Sequence, residues 1–553
     1  MTALYYHPEA YTTSGPRLMG RHAAGESFLR GFLLHSQATE FWLQVEQPEH
    51  AQQFEATAKA LGRSRPTKVV LRGQLGALAA GAGTLYHPGP GIGGAARHRS
   101  FHGHGLWSLC GITHTTSSAG AMDALADLLT APVQPWDAVI CTSHAVKDNV
   151  LRVLQAQADY LKDRLGAQRV VLPQLPVIPL GIHTADFVFS KQQRQAARHA
   201  LGVADDALVV LFMGRLSFHA KAHPLAMYQA LEQAAKRTGK TVVLVECGWH
   251  ANESIRQSFE AAQETACPSV RCLTLDGREA LARQTAWAMA DMACSLSDNI
   301  QETFGITPIE AMAAGLPLVV SDWDGYKDTV RDGLDGFRGP TLMPPAGMAL
   351  DLAYRHALEL DTYDMYCGQA CALVSVDVMA ATEAFVRLLE SPELRARMGA
   401  SGRQRAVEVF DWVNIIPRYE ALWQAQDEQR TAAAGSIKRL LHPWPARMDP
   451  LHAFAAYPSG VLKADTRLAL VDASVEAALQ RLAQYSQLSM VRFAQSSVLS
   501  QDEAQAVLRQ LGEGPATAQD LVSGGSHLRQ KLVYRGLVWL LKLGLVRVDP
   551  VQY

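Results

Sequence analysis

The sequence predicts an α/β protein in which two Rossmann-like, doubly wound domains face a cleft, followed by a mainly helical, winged-helix-like C-terminal domain. Short β-branched and apolar runs alternate with segments of helical periodicity through most of the chain, and this alternation favours parallel sheets. A chain of 553 residues is also too long for one compact core and suggests roughly three to four domains. We expect domains at 1–190 and 191–425, a linker at 426–450 and an appended domain at 451–553.

Composition and charge narrow the class of protein. A formal net charge of −2 with 48% hydrophobic residues describes a globular protein with no general attraction to nucleic acid or anionic membranes. The eight cysteines are scattered without a CxxC pair, which favours buried, reduced thiols. The first residues lack the pattern of a signal peptide, and no apolar run reaches transmembrane length. We therefore expect a cytoplasmic protein, with any membrane association arising through its partners.

The first domain opens with a strand, a glycine-rich turn and a helix. Residues 3–7 predict the strand and residues 12–25 the turn that leads into the helix. This layout brings backbone close to a ligand phosphate or sugar. Gly20 is the candidate contact, and a plain turn without a ligand is the alternative.

Two later segments of this domain are rich in polar residues. Residues 87–104 hold four histidines among glycine, proline and arginine, which predicts a loop over the cleft without the spacing of a metal site. Residues 107–118 predict a buried strand that ends in a polar cluster containing His114. Ligands bind at the carboxyl ends of such strands, so His114 is a candidate site residue. A structural histidine with satisfied hydrogen bonds is the alternative.

The second domain supplies a pair of cations. A buried strand at 207–213 leads to Arg215, and Lys221 follows six positions later. The fork of an arginine and the point charge of a lysine can together neutralise a diphosphate, whereas two solvated surface cations are the alternative. Residues 272–277 predict a further strand that ends in a turn at Gly277.

The stretch from Gln301 to Val330 carries the strongest ligand signal in the chain. A glycine-containing loop leads into a helix with proline in its first turn, and Glu302 and Glu310 lie on either side of the helix start. The free N–H groups at 305–307 and the positive end of the helix dipole can hold a phosphate. Carboxylates suit the vicinal hydroxyls of a sugar or a ribose. A Rossmann-like turn with surface glutamates and no ligand is the alternative.

This stretch resembles the E-x7-E signature of the retaining GT-B glycosyltransferases of family 4. The matching positions are Glu302, Phe304–Gly305, Glu310–Ala–Met, Ala314–Gly315, Pro317, Val319 and Asp335–Gly336, with Ser297 upstream. The resemblance extends over roughly residues 1–425 and is absent after 435.

The resemblance implies a set of roles for a nucleotide-sugar donor. Arg215 and Lys221 would bind its phosphates, Glu310 its ribose and Glu302 its sugar ring. His114 would also contact the sugar, so Glu302 and His114 are the catalytic candidates. The remaining donor-binding candidates are Phe304, Gly305, Ile306 and Thr307 at the helix start, Gly277 beside the base, and Gly20, where the family's usual double glycine is missing. The resemblance also implies retention of configuration, no metal and no cofactor.

The appended domain predicts a winged-helix-like unit. Ser500 and Glu503 form a capping box at the start of one helix, and residues 528–543 and 545–551 predict a longer helix and a strand. Thirteen lysines and arginines from Ser436 onward against nine acidic residues give a net charge of +4, which is mild for nucleic-acid binding. The long helix is apolar on more than one face, so we expect a homo-oligomer or domain docking, and no nucleic acid.

The whole sequence predicts a retaining, metal-independent hexosyltransferase of bacterial surface glycan or glycoconjugate synthesis. Its acceptor would be a hydroxyl of a carbohydrate, a glycolipid or a protein. A nucleotide-sugar epimerase, and a non-enzymatic sugar-nucleotide-binding regulator acting through the C-terminal domain, stay open as alternatives. Residues 360–380, rich in aromatic residues and cysteine, either pack in the core or face the acceptor.

Overall fold

The computed structural model describes residues 1–12, 20–438, 440–523 and 526–549, with the backbone alone for Arg21, His527 and Leu528. Residues 1–443 form one compact unit and residues 444–553 a second. No helix within the described ranges combines the length and the apolar character needed to cross a bilayer.

The first domain is built on six parallel strands in the order β3-β2-β1-β4-β5-β6. Its elements are β1 (Thr2–Tyr5), α1 (Gly20–His35), β2 (Phe41–Val45), α2 (Pro48–Ala60), β3 (Thr67–Leu71), β4 (Thr84–Tyr86), α3 (Gly93–His102), β5 (Ser108–Ile112), α4 (Ala119–Asp127), β6 (Ala138–Ile140) and α5 (His144–Leu165). All residues of the central strands β4 and β5 are buried, as expected for a parallel sheet covered by helices on both faces.

The second domain repeats this plan with strands in the order β12-β11-β10-β7-β8-β9, all parallel. Its elements are α6 (Lys191–Ala200), β7 (Leu208–Met213), α7 (Leu225–Thr238), β8 (Val242–Gly248), α8 (Glu253–Ala266), β9 (Arg271–Asp276), α9 (Ala280–Met289), β10 (Met292–Ser295), α10 (Ile306–Ala313), β11 (Leu318–Ser321), α11 (Tyr326–Thr329), β12 (Gly336–Gly339), β13 (Thr341–Leu342), α12 (Leu350–Ala357), α13 (Tyr363–Cys371), β14 (Ser375–Val376), α14 (Val378–Glu390) and α15 (Pro392–Arg405). Read from β9, both sheets have the same Rossmann order, so the structure confirms the predicted pair of doubly wound domains, the GT-B plan.

The chain returns to the first domain through α16 (Trp412–Ala432). Trp412 is fully buried against the backbone of Gly31 and Gly181. Gln426 is fully buried as well, and its Nε2 donates to the carbonyls of Leu109 and Trp136 at 2.9 Å. Residues 426–432 are therefore part of a docked helix, and the prediction of a linker from 426 is wrong there.

The two crossings between the domains lie side by side. The N–H of Ile182 donates to the carbonyl of Phe410 at 2.8 Å, and the N–H of Trp412 returns a bond to the carbonyl of Ile182 at 3.1 Å. Asp411 caps the start of α16 and also accepts from the N–H of Thr184 at 3.1 Å. The outgoing and the returning chain are thus joined at one point.

The segment 87–104 is not a loop, because α3 occupies most of it. Arg99 is fully buried on this helix and pairs with buried Asp137, with 2.6 Å between Nη2 and Oδ2. It also donates from Nη1 to the carbonyl of Trp107 at 2.8 Å. A buried charge pair therefore stabilises a helix whose composition is typical of a loop.

The second unit has a winged-helix-like order. Its elements are α17 (Pro450–Ala453), β15 (Arg467–Leu470), α18 (Val475–Tyr485), α19 (Ser489–Arg492), α20 (Gln501–Gly512), β16 (Ala516–Thr517), α21 (Ala518–Val522), α22 (His527–Lys542) and β17 (Val546–Val548). The antiparallel sheet has the order β16-β15-β17, and the capping box of Ser500 and Glu503 is present at the start of α20. Leu537 and Leu540 of α22 are buried in this unit's own core, while Val538 is half exposed.

Candidate functional site

Three glycines bring the backbone together at the carboxyl ends of β7, β8 and β9. The N–H of Gly214 donates to the carbonyl of Cys247 at 3.0 Å, and the N–H of Gly277 donates to the carbonyl of Gly248 at 2.9 Å. A Cβ at Gly248 would lie 1.9 Å from the carbonyl oxygen of Gly214, and one at Gly277 would lie 2.9 Å from the Cα of Gly248. Bare backbone therefore lines this edge of the second sheet, as a close-fitting ligand requires.

The start of α10 lies at the same edge of this sheet. Gly305 is its N-cap residue with a φ of +85°, and a Cβ there would lie 2.1 Å from the ring of Tyr326. No side chain caps the helix, so the N–H groups of its first turn are without a side-chain acceptor in the described structure. Ile306 and Thr307 are partly exposed at this helix start. The geometry is that of an anion site formed by a helix N-terminus.

Lys221 and Glu302 form an ion pair beside this helix start. The distance between Nζ and Oε2 is 2.5 Å, and the side chains are 23% and 12% exposed. Burial opposes the charge of Glu302, but Lys221 and the N–H groups of Thr303 and Phe304 outweigh it and hold the pKa of Glu302 below its ordinary value. The carboxylate and the ammonium therefore neutralise each other in this structure.

Arg215 lies next to this ion pair. Its Nη2 donates to the carbonyl of Ala220 at 2.9 Å and lies 3.5 Å from Oε1 of Gln301, the neighbour of Glu302. The structure thus brings Arg215, Lys221 and Glu302 together, as the sequence predicts.

Glu310 lies one turn inside α10, and Arg283 of α9 lies near it. Burial raises the pKa of Glu310 to about 7, while the positive charges of Arg283 and Lys221 act in the opposite direction. Arg283 donates from Nη1 to the carbonyls of Gly277 at 2.8 Å and Arg278 at 3.0 Å. Arg283 was missed at the sequence level, where an arginine six residues after the turn at Gly277 was the available signal.

Two predicted contacts are placed differently. Phe304 is 1% exposed and packs against Phe410 with 6.1 Å between ring centroids, so its side chain cannot touch a ligand and only its backbone can. Gly20 begins α1, and a Cβ there would meet no described protein atom within 4 Å, so packing within the described structure does not require a glycine at this position. Most of the glycine-rich turn before it, residues 13–19, lies outside the described residues.

The loop that contains His114 follows β5 and contacts the second domain. His114 is partly exposed. The hydroxyl of Tyr363 on α13 lies 3.2 Å from Oγ1 of Thr115 and 2.8 Å from Oγ of Ser117. Cys367 and Cys371 on the same helix are buried. The segment 360–380 therefore packs into the core on one side and joins the His114 loop on the other.

The domains also meet at the start of α5. Oγ of Ser143 donates to the carbonyl of Thr303 at 2.8 Å, and the N–H of His144 donates to Oδ2 of Asp328 at 2.7 Å. Asp324 has a φ of +46°, and its buried Oδ2 has no partner among the described residues. Burial, and next the charge of Glu302, raise the pKa of Asp324 well above its ordinary value.

Within the described parts of the chain, no three histidine, cysteine, aspartate or glutamate side chains are grouped so that they could hold a metal ion. The positively charged side chains described at this site are those of Arg215, Lys221 and Arg283.

Comparison with known protein families gives a match that lies within the second domain. Residues 193–342 match the family described as Glycosyl transferases group 1. A D-inositol 3-phosphate glycosyltransferase of Geodermatophilus obscurus is 34% identical over 201 residues, which are 35% of this chain and 42% of the relative. An alpha-maltose-1-phosphate synthase of Mycolicibacterium smegmatis is 24% identical over 294 residues, 51% of this chain and 62% of the relative. The chain thus spans less than two thirds of both relatives.

Among solved structures, that of Anabaena HepE in complex with UDP and glucose is 15% identical, covers 77% of this chain and 99% of its own, and has a TM-score of 0.48. The family match contains β7 to β12 and the side chains of Arg215, Lys221, Arg283, Glu302 and Glu310. Residues 193–342 are therefore a domain of the glycosyl transferases group 1 type.

Proposed function

We propose that this protein is a retaining glycosyltransferase that moves a sugar from a nucleotide diphosphate-sugar to a hydroxyl acceptor without a metal ion. One observation carries the proposal: Arg215 and the Lys221–Glu302 pair lie beside the uncapped helix start that follows Gly305. Two cations and a helix N-terminus at one point suit a doubly charged leaving group. The match of residues 193–342 to a glycosyltransferase family supports glycosyl transfer as the activity.

The Lys221–Glu302 ion pair suggests how the donor binds. Because Lys221 is bonded to Glu302, an incoming diphosphate has to take over the ammonium group. This exchange leaves Glu302 free to accept hydrogen bonds from hydroxyls of the transferred sugar. Glu310 would accept from the ribose hydroxyls, and the backbone at Gly277 would lie beside the base.

The chemical step follows from this arrangement. The bond between the anomeric carbon and the diphosphate oxygen breaks, and Arg215, Lys221 and the N–H groups at the start of α10 stabilise the negative charge of the leaving group. The acceptor oxygen attacks from the same face, and its proton passes to the departing diphosphate oxygen. His114, in the loop joined to Tyr363, would contact the sugar from the first domain. Relatives named as D-inositol 3-phosphate glycosyltransferases support a hydroxyl acceptor of the polyol kind.

A thermal-shift series with UDP-, GDP- and ADP-sugars tests the proposal. A ligand that binds only the native state raises the melting temperature. At a concentration one hundred times its Kd, it adds about 2.7 kcal/mol to the free energy of unfolding. We expect one nucleotide series to stabilise the protein and Arg215→Ala to abolish the effect. Arg237→Ala is the matched control, because Arg237 forms an exposed ion pair with Glu383 in the same domain.

Turnover then separates the transferase from the other functions. We expect sugar transfer to a hydroxyl acceptor with retention of configuration, and a loss of several orders of magnitude in Arg215→Ala and Glu310→Ala. Conversion of the donor sugar without any acceptor would indicate an epimerase instead. Near-normal transfer by folded Arg215→Ala would refute the assignment of the phosphate site.

A further inference from the structure

The first domain contains a cavity of about 260 Å³ that lies outside the site described above. Four of its lining residues come from the carboxyl ends of neighbouring strands: Arg72 after β3, Gln44 near the end of β2, Tyr5 at the end of β1 and His87 after β4. Since the strand order is β3-β2-β1-β4, these residues follow one another along the sheet edge. The rest of the lining is Leu75, Leu85, Gly94, Ala95, His98 and Trp107.

Several buried polar groups of this lining lack good hydrogen bonds. Trp107 is 1% exposed, and neither its Nε1 nor the buried Nε2 of His87 has a partner among the described residues. Gln44 is 5% exposed, and its Nε2 makes one long bond of 3.4 Å to the carbonyl of Val45. An unpaired buried polar group costs about 1–3 kcal/mol. Two unpaired groups and one weakly bonded amide around a single cavity indicate an occupant that forms hydrogen bonds.

The charges of the lining favour a neutral occupant. Burial lowers the pKa of His87 to about 4, and burial together with the charge of Arg72 lowers the pKa of His98, so both imidazoles are neutral near pH 7. Arg72 alone among the described lining residues carries a fixed charge, and it already pairs with Glu46. An anion entering the cavity would therefore find no unpaired cation.

We propose that this cavity binds one neutral, pyranose-sized polyol ring. Tyr5 and His87 stack with 5.1 Å between ring centroids and, with Trp107, provide aromatic walls. Gln44, His87 and Trp107 provide hydrogen bonds for hydroxyl groups. Pockets for drug-sized ligands begin at about 300 Å³, so this cavity suits a single ring. The occupant would be a neutral sugar unit of the acceptor, and this role, unlike the binding itself, rests on the proposed function.

Gly94 allows the cavity to be filled without strain. It lines the cavity on α3, and a Cβ there would meet no heavy atom within 4 Å. Gly94→Leu places a side chain in this space and raises helix propensity by nearly 1 kcal/mol, so it should not unfold the protein. Gly120→Leu is the matched control, because Gly120 is an exposed helical glycine on α4 that also has open space around it.

Titration of the full chain without nucleotide tests the proposal, using methyl α-D-glucopyranoside, methyl α-D-mannopyranoside, myo-inositol and inorganic phosphate as probes. We expect at least one neutral ring to bind the wild type and Gly120→Leu equally. Its affinity should fall by at least about tenfold in Gly94→Leu. Crystals soaked with that ring should show it between Gln44 and Trp107, and phosphate should not compete.

Four results would overturn the proposal: no binding of any neutral ring, unchanged binding by Gly94→Leu, displacement of the ring by phosphate, or a soaked cavity that holds water alone. Thermal shifts with nucleoside diphosphates on the same samples test the donor site separately. Nucleotide binding without ring binding refutes only the cavity. Ring binding without nucleotide binding refutes only the donor site.

Discussion

Under the proposed function, Lys221 has two competing binding partners, Glu302 and the donor diphosphate. Its ammonium group is bonded to Glu302, and the donor diphosphate would need the same group. The sequence predicts both residues as site residues, but spacing along the chain does not show that they bind each other. The two residues are 81 positions apart in the sequence, and only the fold of β7, β10 and the following loops brings them together.

Glu302→Gln should separate binding from transfer. The amide keeps the shape of the side chain but releases Lys221 and removes a negative charge beside the diphosphate. We expect nucleoside diphosphate to bind about tenfold tighter, or about 1.4 kcal/mol, while sugar transfer falls by orders of magnitude. Calorimetric titration of the two proteins measures the change. Equal or weaker diphosphate binding would show that the ion pair does not limit access to Lys221.

Arg283→Met should change the pH dependence of donor binding. Glu310 has to be ionised to accept two ribose hydroxyls, and its pKa is raised to about 7 by burial, so binding should weaken as the pH falls through 7. Arg283 lowers that pKa; without it the pKa rises, and the loss of affinity begins at a higher pH. We expect Arg283→Met to bind the donor weakly at pH 7 and to recover at alkaline pH.

Arg278→Met is the control for this experiment, because Arg278 lies at the same turn but pairs with Asp276. Its affinity should follow the wild-type pH profile. If Arg283→Met lowered the affinity for the donor by the same factor at every pH, Arg283 would only hold the turn at Gly277 in place.

The plan of the sheet explains why several of the predicted site residues lie together. Arg215, Lys221, Glu302 and the start of α10 come together because their strands end at one edge of a parallel sheet, which periodicity predicts. The burial of Phe304 could not be predicted, since it depends on Phe410, more than a hundred positions away. Arg283 was missed because its effect on Glu310 acts through space between two helices.

At the scale of the element, α10 depends on one glycine before it and one after it. Gly305 precedes the helix with a φ of +85° and Gly315 follows it with a φ of +75°. Both favour glycine for their backbone conformation, but only Gly305 also needs room for a neighbouring ring, that of Tyr326. A glycine just after a helical segment commonly ends the helix, so the role of Gly315 follows from the local sequence, whereas the packing of Tyr326 on Gly305 requires the tertiary structure.

Gly305→Ala should therefore be more harmful than Gly315→Ala. A left-handed conformation costs an alanine about 1–2 kcal/mol at either position. At Gly305 the Cβ would also lie 2.1 Å from the Tyr326 ring, so Tyr326 or the start of α10 has to shift. We expect Gly305→Ala to lose roughly 1–3 kcal/mol more in urea unfolding and to lose nucleotide-induced stabilisation. Similar losses in both variants would show that the ring contact is unimportant.

Other elements show where the local sequence pattern does not predict the structure. Residues 93–102 form α3 although their histidines, arginines and glycines are typical of a loop, because the Arg99–Asp137 pair is fully buried under the helix. Such a pair is invisible to periodicity, which relies on apolar residues. The capping box of Ser500 and Glu503 was predictable because all of its partners lie within four residues.

At the scale of the whole molecule, the pair of Rossmann-like domains was predictable from the alternation of strands and helices. The end of α16 was not, because the composition after residue 425 resembles a linker. Gln426 shows why: a polar residue is fully buried there only because the carbonyls of Leu109 and Trp136 accept its two bonds.

Two truncated chains should show whether the first unit needs the last turns of α16. A chain ending at Pro443 retains the whole first unit, so we expect its melting temperature and its nucleotide-induced shift to stay close to those of that unit in the full chain. A chain ending at residue 425 loses Gln426 and the last turns of α16 and should be less stable by several kcal/mol. Equal stability of the two truncated chains would show that the end of α16 does not hold the first domain.

The paired crossing at Ile182 and Asp411 has a consequence for how the cleft can open. If the two crossings were separate, the two domains could slide or twist past each other. Because the crossings are hydrogen-bonded to each other at one point, they act as a single pivot. Opening then reduces to a swing about that pivot, which has to break the bonds that join the Tyr363 hydroxyl to Thr115 and Ser117.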